Sequence, residues 1–430
     1  MPTLSEDLAW RGLIEQESAG VRQALDSERH AGYVGFDPTG PSLHHGHLLG
    51  IVTLRRLQET GHRPIALAGG GTGLIGDPGG KDAERPLLST EQHAENMAGI
   101  RAQLEGLLDF SPGLGDAQAL LLDNADWLVE HRLVDFLRDI GKHFTVNQMI
   151  AKESVRARIE RPEQGISFTE FSYMLLQATD YLHLFDRYGC RFQMGGSDQW
   201  GNITMGLELI RKVRRQDAFA FTWPLLVRSD GKKFGKSEEG AIWLDATMTS
   251  PFALYQWFFR VPDDDVGVLL RRFTFLGHDE IRQLDGATEQ HPERRDAQRA
   301  LARAVCTFVH GPEETARAER ATRALYTEEI AGIDADLLEA VLADAPSSVL
   351  SRSALDGEGL DLADALASTG LCASKSAART TISQNGAYVN NVRRSADGGT
   401  GAAITGADLL GGRFVLLRRG RRDYHVLRFE

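Results

Sequence analysis

The period of apolar positions changes several times along the chain. It predicts a short strand over His30–Phe36, an amphipathic helix over Leu48–Glu59 and a second strand over Pro64–Ala68, the start of a βαβ unit. Ala119–Leu122 and Cys190–Met194 continue the strands, with helical stretches between them. A doubly wound, mostly parallel α/β sheet accounts for residues 1–225, so ligands belong at the carboxyl ends of its strands. From Thr249 to about Ala345 the pattern turns helical, and a helical domain is expected over 226–345. Residues 346–359 are polar and rich in small side chains, as linkers are, which leaves 360–430 as a small third α+β domain. There is no internal repeat.

Composition narrows the partners. A chain of 430 residues exceeds what one core usually supports, and 42% hydrophobic with 25% charged residues is ordinary for a soluble protein. No stretch is apolar enough to span a membrane, and the N-terminus lacks the basic and apolar regions of a signal peptide, so a cytoplasmic protein with no membrane partner is expected. Cys190, Cys306 and Cys372 are far apart and in no metal-ligand spacing, which fits free thiols and no resident metal. The net charge of −12 argues against nonspecific coating of nucleic acid but permits local basic patches.

Five segments carry candidate chemistry. The run Gly35-Phe36-Asp37-Pro38-Thr39-Gly40-Pro41-Ser42-Leu43-His44-His45-Gly46-His47 is a strand end, a turn and a helix start. His44 and His47 at a helix N-terminus, whose free amides attract anions, suit phosphate groups; the alternative is a turn with surface histidines. Gly69-Gly70-Gly71-Thr72-Gly73-Leu74-Ile75-Gly76-Asp77-Pro78 contains a GxGxxG pattern, but Pro78 would break the helix that a dinucleotide-binding loop must open. A loop that lets backbone approach a substrate, with Asp77 free to bind a cation, is the better reading. Tyr173, Gln177 and Asp180 are spaced i, i+4, i+7 and share one helical face; their apolar neighbours imply burial, and buried polar groups need partners that a polar ligand would supply. Gln193-Met194-Gly195-Gly196-Ser197-Asp198-Gln199-Trp200-Gly201-Asn202 lies at a strand end, where Asp198 can accept from ribose hydroxyls. Asp230-Gly231-Lys232-Lys233-Phe234-Gly235-Lys236-Ser237 lacks the first glycine of a P-loop; it is a cationic loop able to offset charge on a departing polyphosphate.

Taken together, these segments resemble the bacterial-type tyrosyl-tRNA synthetases, class I aminoacyl-tRNA synthetases with a Rossmann-like catalytic domain. His44-His45-Gly46-His47 is similar to the HIGH signature and Lys233-Phe234-Gly235-Lys236-Ser237 to the KMSKS signature, with Gly-Ser-Asp-Gln-Trp-Gly-Asn between them. The resemblance implies that Tyr33 and Asp180 hold the tyrosine hydroxyl, that Asp77, Tyr173 and Gln177 hold its ammonium group, and that Gln193 also contacts tyrosine. Gly35, Asp37, Gly196, Asp198 and Gln199 would line the sugar of ATP and the reacting carboxylate of tyrosine. Thr72, His44, Gly46 and His47 would lie near the phosphates, with Lys81, Arg85, Lys233, Lys236 and Ser237 as a pyrophosphate clamp. Three positions depart from the family pattern: His45 replaces the usual isoleucine, Val34 stands where some members have cysteine, and Thr179 where an aromatic residue is common.

The tail carries a second resemblance. Ser374-Lys375-Ser376-Ala377-Ala378-Arg379 followed by Gly386-Ala387-Tyr388-Val389-Asn390 is similar to a ribosomal-protein-type RNA-binding domain. Arg413, Arg418, Arg419, Arg421, Arg422 and Arg428 stand against only Asp423 and Glu430, a candidate phosphate-contacting patch. The partners implied are L-tyrosine, Mg²⁺-ATP as substrate and tRNA(Tyr). No tightly bound cofactor is expected. The family also implies a homodimer, with Arg211 and Lys212 at the acceptor stem and Lys375, Arg379, Arg418, Arg419, Arg421 and Arg422 on tRNA. The rivals are the related tryptophan enzyme, which lacks the Tyr33/Asp180 pair, a noncatalytic splicing-type RNA-binding protein on the same scaffold, and an NAD-dependent oxidoreductase.

Overall fold

The computed structural model describes residues 2–78, 88–160, 165–227, 229, 241–324, 328–333, 335–342, 345–395, 403–420 and 423–430. They form two compact units, one of residues 1–249 with 261–309 and one of 250–260 with 310–430.

The first unit is built on six strands, β1 (Gln16–Glu17), β2 (Ala31–Phe36), β3 (Arg63–Ala68), β4 (Leu120–Asp123), β5 (Cys190–Gly196) and β6 (Phe219–Trp223), in the order β1-β6-β5-β2-β3-β4. All neighbours are parallel except the antiparallel edge pair β1/β6. Strands β2, β3 and β4 are laid down in one direction, after which β5 returns to the other side of β2. The order therefore reverses between β2 and β5, and a crevice opens beyond their carboxyl ends. Successive side chains of β2 serve opposite faces. Tyr33 meets Tyr181 of the Phe168–Tyr188 helix, with ring centroids 5.5 Å apart, while Val34 packs against Gly50 of the His45–Glu59 helix. Both faces are thus covered, which is why β2 is an almost unbroken apolar run.

Residues 261–309 belong to this unit for a visible reason. The Arg11 guanidinium, 4% exposed, donates to the carbonyls of Arg271 (3.1 Å), Thr274 (3.2 Å) and Leu276 (2.8 Å), and Arg56 also reaches Thr274 O. Two buried cations thereby satisfy the carbonyls at the end of the Asp263–Phe273 helix. The expected helical domain over 226–345 is therefore not one body. Its helices divide between the two units, and the run Asp296–Ala324 breaks near the boundary at Gly311, whose φ of 84° is followed by Pro312.

In the second unit, β7 (Ser347–Leu350), β8 (Leu360–Asp361), β9 (Ala387–Val389), β10 (Val392–Arg394), β11 (Ala403–Ile404), β12 (Phe414–Arg419) and β13 (Asp423–Phe429) form a five-stranded sheet in the order β10-β9-β12-β13-β7 and a β8/β11 pair. The helices Leu362–Ser368 and Lys375–Ser383 cover a core that includes Leu366, Ile382, Val415, Leu417 and Leu427. The expected linker 346–359 is corrected here, because β7 lies inside it and pairs in parallel with β13, Ser347 opposite Val426 through Leu350 opposite Phe429. A four-residue edge strand, two serines followed by Val349 and Leu350, offers too little alternation to be read from sequence.

Candidate active site

The crevice beyond β2 and β5 is a cleft of about 370 Å³. Of the residues singled out in the sequence it brings together Tyr33, Gly35, Asp37, His44, Gly46, His47, Thr72, Asp77, Tyr173, Gln177, Asp180, Gln193, Gly196, Asp198 and Gln199. Lys81, Arg85, Lys233, Lys236, Ser237, Arg421 and Arg422 lie outside the described residues.

The floor of the cleft is polar and almost completely buried. Tyr33, Asp180 and Gln193 are each 2% exposed. Among the described residues the Tyr33 hydroxyl and Gln193 Oε1 have no hydrogen-bond partner, and buried polar atoms in this state await a polar guest. Asp180 is fixed from behind: Asn124 Nδ2 donates to one carboxylate oxygen at 2.9 Å and Trp127 Nε1 to the other at 2.8 Å. Burial pushes the Asp180 carboxyl well above the usual carboxylate range, against these two hydrogen bonds, which favour the anion. Asn124 Oδ1 also accepts the Gly71 N–H at 2.7 Å, so one side chain ties the glycine loop to the floor.

That loop is not a dinucleotide-binding turn. Residues 72–74 make a single 3₁₀ turn, Gly76 has φ 84°, and among the described residues up to 78 no α-helix opens. Gly69 is required by close approach, since a Cβ would collide with Asp37 Oδ1. Asp37 accepts from Thr72 Oγ1 and from Tyr173 Oη, both at 2.7 Å, and burial followed by the Asp37 charge raises the Tyr173 phenol well above its ordinary range. Asp77, which the sequence offered to a cation, also accepts from two amides of this chain. Gln199 Nε2 donates to it at 2.6 Å and Asn202 Nδ2 at 3.2 Å, and Asn202 also donates to Gln177 Oε1 at 3.1 Å.

The two histidines open the His45–Glu59 helix. His44 is its N-cap: its Nδ1 accepts the Gly46 N–H at 3.1 Å, and His47 Nδ1 accepts the His44 N–H at the same distance. With both Nδ1 atoms accepting, each neutral ring carries its proton on Nε2. The rings stack with centroids 3.9 Å apart. Burial, reinforced by the neighbouring His45, lowers the His44 pKa to about 4. Above pH 6.5, the ordinary histidine value, the folded and unfolded chains are both neutral at this position. As the pH falls towards 4, only the unfolded chain takes up the proton, so stability is lost on the acid side. Relative to His44→Asn, which keeps a capping acceptor, the unsubstituted protein should lose about 1 kcal/mol of unfolding free energy between about pH 7.5 and pH 5.5. Urea titrations at the two pH values check this; parallel behaviour of the two proteins would refute it.

Outside the cleft, the basic residues are more engaged than a count of charges implies. Arg211 and Lys212 both pair with Glu208, at 2.9 and 3.1 Å, and Lys375 pairs with Asp364 at 2.7 Å, whereas Arg379 is exposed. Four arginines of the expected patch have partners within the protein. Arg413 pairs with Glu339 and Arg419 with Asp423, Arg418 donates to Asn391 Oδ1 and lies over the Tyr388 ring, and Arg428 donates to Leu342 O.

Asn124 and Trp127 were missed in the sequence, and Asn202 stood there only as the last residue of its motif, without a role. The rule that ligands gather at strand ends pointed to Asn124, which follows β4 directly; nothing in the local pattern marks Trp127.

Residues 26–327 match the family model of tRNA synthetases class I (W and Y), and residues 338–427 match the model of the tyrosine–tRNA ligase SYY-like C-terminal domain. The chain is 53% identical over 428 residues to the tyrosine–tRNA ligase of Roseiflexus castenholzii, with 100% of each chain covered. It is 48% identical to that of Geobacillus stearothermophilus, with 99% of each covered. Among solved structures, a C-terminally truncated mitochondrial tyrosyl-tRNA synthetase from Aspergillus nidulans superposes with a TM-score of 0.69 at 33% identity, covering 76% of this chain and 95% of that one. The chain belongs to the class I tRNA synthetases (W and Y).

Proposed function

We propose that this protein ligates L-tyrosine to tRNA(Tyr). The observation that carries the choice of amino acid is the buried floor of the cleft, where the unpartnered Tyr33 hydroxyl and the braced Asp180 carboxylate suit a phenolic hydroxyl. Asp77, Tyr173 and Gln177 take the ammonium group, and Gln193 completes the tyrosine site. ATP lies along Gly35, Asp37, Gly196, Asp198 and Gln199. Its phosphates meet Thr72 and the Nε2–H groups of His44 and His47, close to Gly46 at the helix N-terminus. Mg²⁺ arrives with ATP as part of that substrate.

The tyrosine carboxylate attacks the α-phosphorus in line, forming tyrosyl-adenylate and releasing pyrophosphate. A ribose hydroxyl at the 3′ end of the tRNA then attacks the acyl carbonyl and displaces AMP. Neither step needs a covalent enzyme intermediate, so catalysis consists of positioning and of stabilising charge on the leaving phosphates, to which Lys81, Arg85, Lys233, Lys236 and Ser237 contribute. Arg211 and Lys212 are assigned to the acceptor stem, and Lys375, Arg379, Arg418, Arg419, Arg421 and Arg422 to more distant phosphates. A surface ion pair within the protein is weak and is exchanged for a phosphate contact at small cost.

The working form is a cytoplasmic homodimer. Exposed apolar side chains support the dimer: Leu133 and Val134 are each 72% exposed and Phe168 76%. The clamp is tested by Lys236→Ala, which should slow adenylate formation on the order of tenfold or more while leaving tyrosine affinity nearly unchanged, because an ammonium engaged as pyrophosphate separates acts on the transition state. Pre-steady-state kinetics showing lost tyrosine affinity with an unchanged chemical step would reverse the assignment.

A further inference from the structure

The turn that leads into His44 is held from behind by one face of a neighbouring helix. On the Thr90–Leu107 helix, Asn96, Gly99 and Gln103 fall at i, i+3 and i+7 and share a face. Asn96 Nδ2 donates to Pro38 O at 3.0 Å, and a Cβ on Gly99 would strike the Pro41 carbonyl oxygen, so helix and turn lie in direct contact. Gln103 ends the row with two directional bonds. Its Oε1 accepts the Leu43 N–H and its Nε2 donates to Ser42 Oγ, both at 2.9 Å.

Ser42 is 2% exposed and passes the connection on: its hydroxyl donates to Leu43 O at 2.7 Å and accepts the Asp245 N–H at 3.2 Å. Around it the backbones pair, Leu244 N–H to Leu43 O at 2.8 Å and His45 N–H to Ile242 O at 3.0 Å, with His44 bridged to Trp243. A single amide side chain therefore fixes the residue before the N-cap histidine. Through Ser42 it also fixes the segment 242–245, which follows the lysine signature in sequence. Neither Gln103 nor Ser42 lines the cleft.

We propose that Gln103 is a positioning residue for adenylate formation, acting through Ser42 and Leu43 to set His44 and the 242–245 segment in mutual register. The inference rests on the adenylate-forming reading above. Tyrosine is held by other elements, namely β2, β5 and the Phe168–Tyr188 helix, so a fault in this register should be felt by the ATP-dependent step and not by tyrosine binding.

The test compares Gln103→Met, which keeps the bulk without the hydrogen bonds, with Gln103→Glu, whose carboxylate still accepts from Leu43 N–H and, once the Ser42 hydroxyl turns from Leu43 O, from that hydroxyl as well. Because a shift of about 1 Å can cost roughly 10²-fold in rate, Gln103→Met should slow tyrosine-dependent ATP–pyrophosphate exchange by at least about tenfold. Its tyrosine dissociation constant should stay within about twofold, and Gln103→Glu should recover most of the rate. Ser42→Ala should show the same split, and it carries the test if Gln103→Met does not fold. The proposal is overturned if Gln103→Met exchanges at the unsubstituted rate, or if tyrosine affinity and rate fall together with no recovery in Gln103→Glu. Absence of exchange in the unsubstituted protein would remove the functional reading itself, and this inference with it.

Discussion

Asp180→Ala is expected to lower kcat/KM for tyrosine by roughly 30- to 1000-fold, the equivalent of about 2–4 kcal/mol, while changing kcat/KM for phenylalanine far less. The substitution removes the acceptor for the phenolic hydroxyl and leaves the Asn124 amide and the Trp127 indole N–H, both directed at Asp180, without their partner. A tyrosine entering that site must bury its own hydroxyl against donors that no longer have a carboxylate to serve, whereas phenylalanine never used it. Tyr33→Phe is the gentler companion, since it deletes one hydroxyl from a ring that still packs on Tyr181. It should also narrow the gap between the two amino acids. If kcat/KM for tyrosine and phenylalanine fall in equal proportion in both variants, the floor of the cleft does not read the hydroxyl.

Ending the chain after residue 345 should leave tyrosine-dependent ATP–pyrophosphate exchange in place yet abolish most tRNA charging. Every residue assigned to adenylate formation lies between Tyr33 and Ser237, in the first unit as far as the structure describes them. The cut removes the whole five-stranded sheet. It also uncovers the Ala335–Leu342 helix, whose Leu338 and Leu342 are fully buried in the complete chain and whose Glu339 loses its Arg413 partner. Local melting of the second unit should therefore accompany the loss of charging. The lost affinity should be the salt-sensitive part, because each phosphate contact removed lowers the slope of log K against log salt by roughly 0.7 to 0.9. A truncated protein that charges tRNA as well as the full chain at moderate salt would separate the tail from RNA binding. One that folds but makes no adenylate would show that the first unit does not suffice.

How much was visible in the sequence depended on whether a residue acts through its own element. Tyr173, Gln177 and Asp180 could be placed together because helical spacing alone puts them on one face, and His44 and His47 because a strand, a turn and a helix start follow in order. Asn124, Trp127, Asn202 and Gln103 act by gripping other side chains or a distant turn, and no local period encodes a partner more than twenty residues away. Asp77 illustrates the same limit, since its type suggested a cation but not the amides of Gln199 and Asn202 that also hold it. Counting arginines in the tail likewise gave a charge without its partners. The fold of the first unit was legible because its strands are buried on both faces and interrupted by helices. The boundary near residue 346 was not, because β7 gains its place only by pairing with β13 at the far end of the chain.

Tyrosine specificity is tested most directly by ATP–pyrophosphate exchange measured with each of the twenty amino acids on the full chain. Exchange should depend on tyrosine, with every other amino acid, phenylalanine and tryptophan included, far behind. Exchange driven as well by tryptophan as by tyrosine, or no amino-acid-dependent exchange at all, would contradict it.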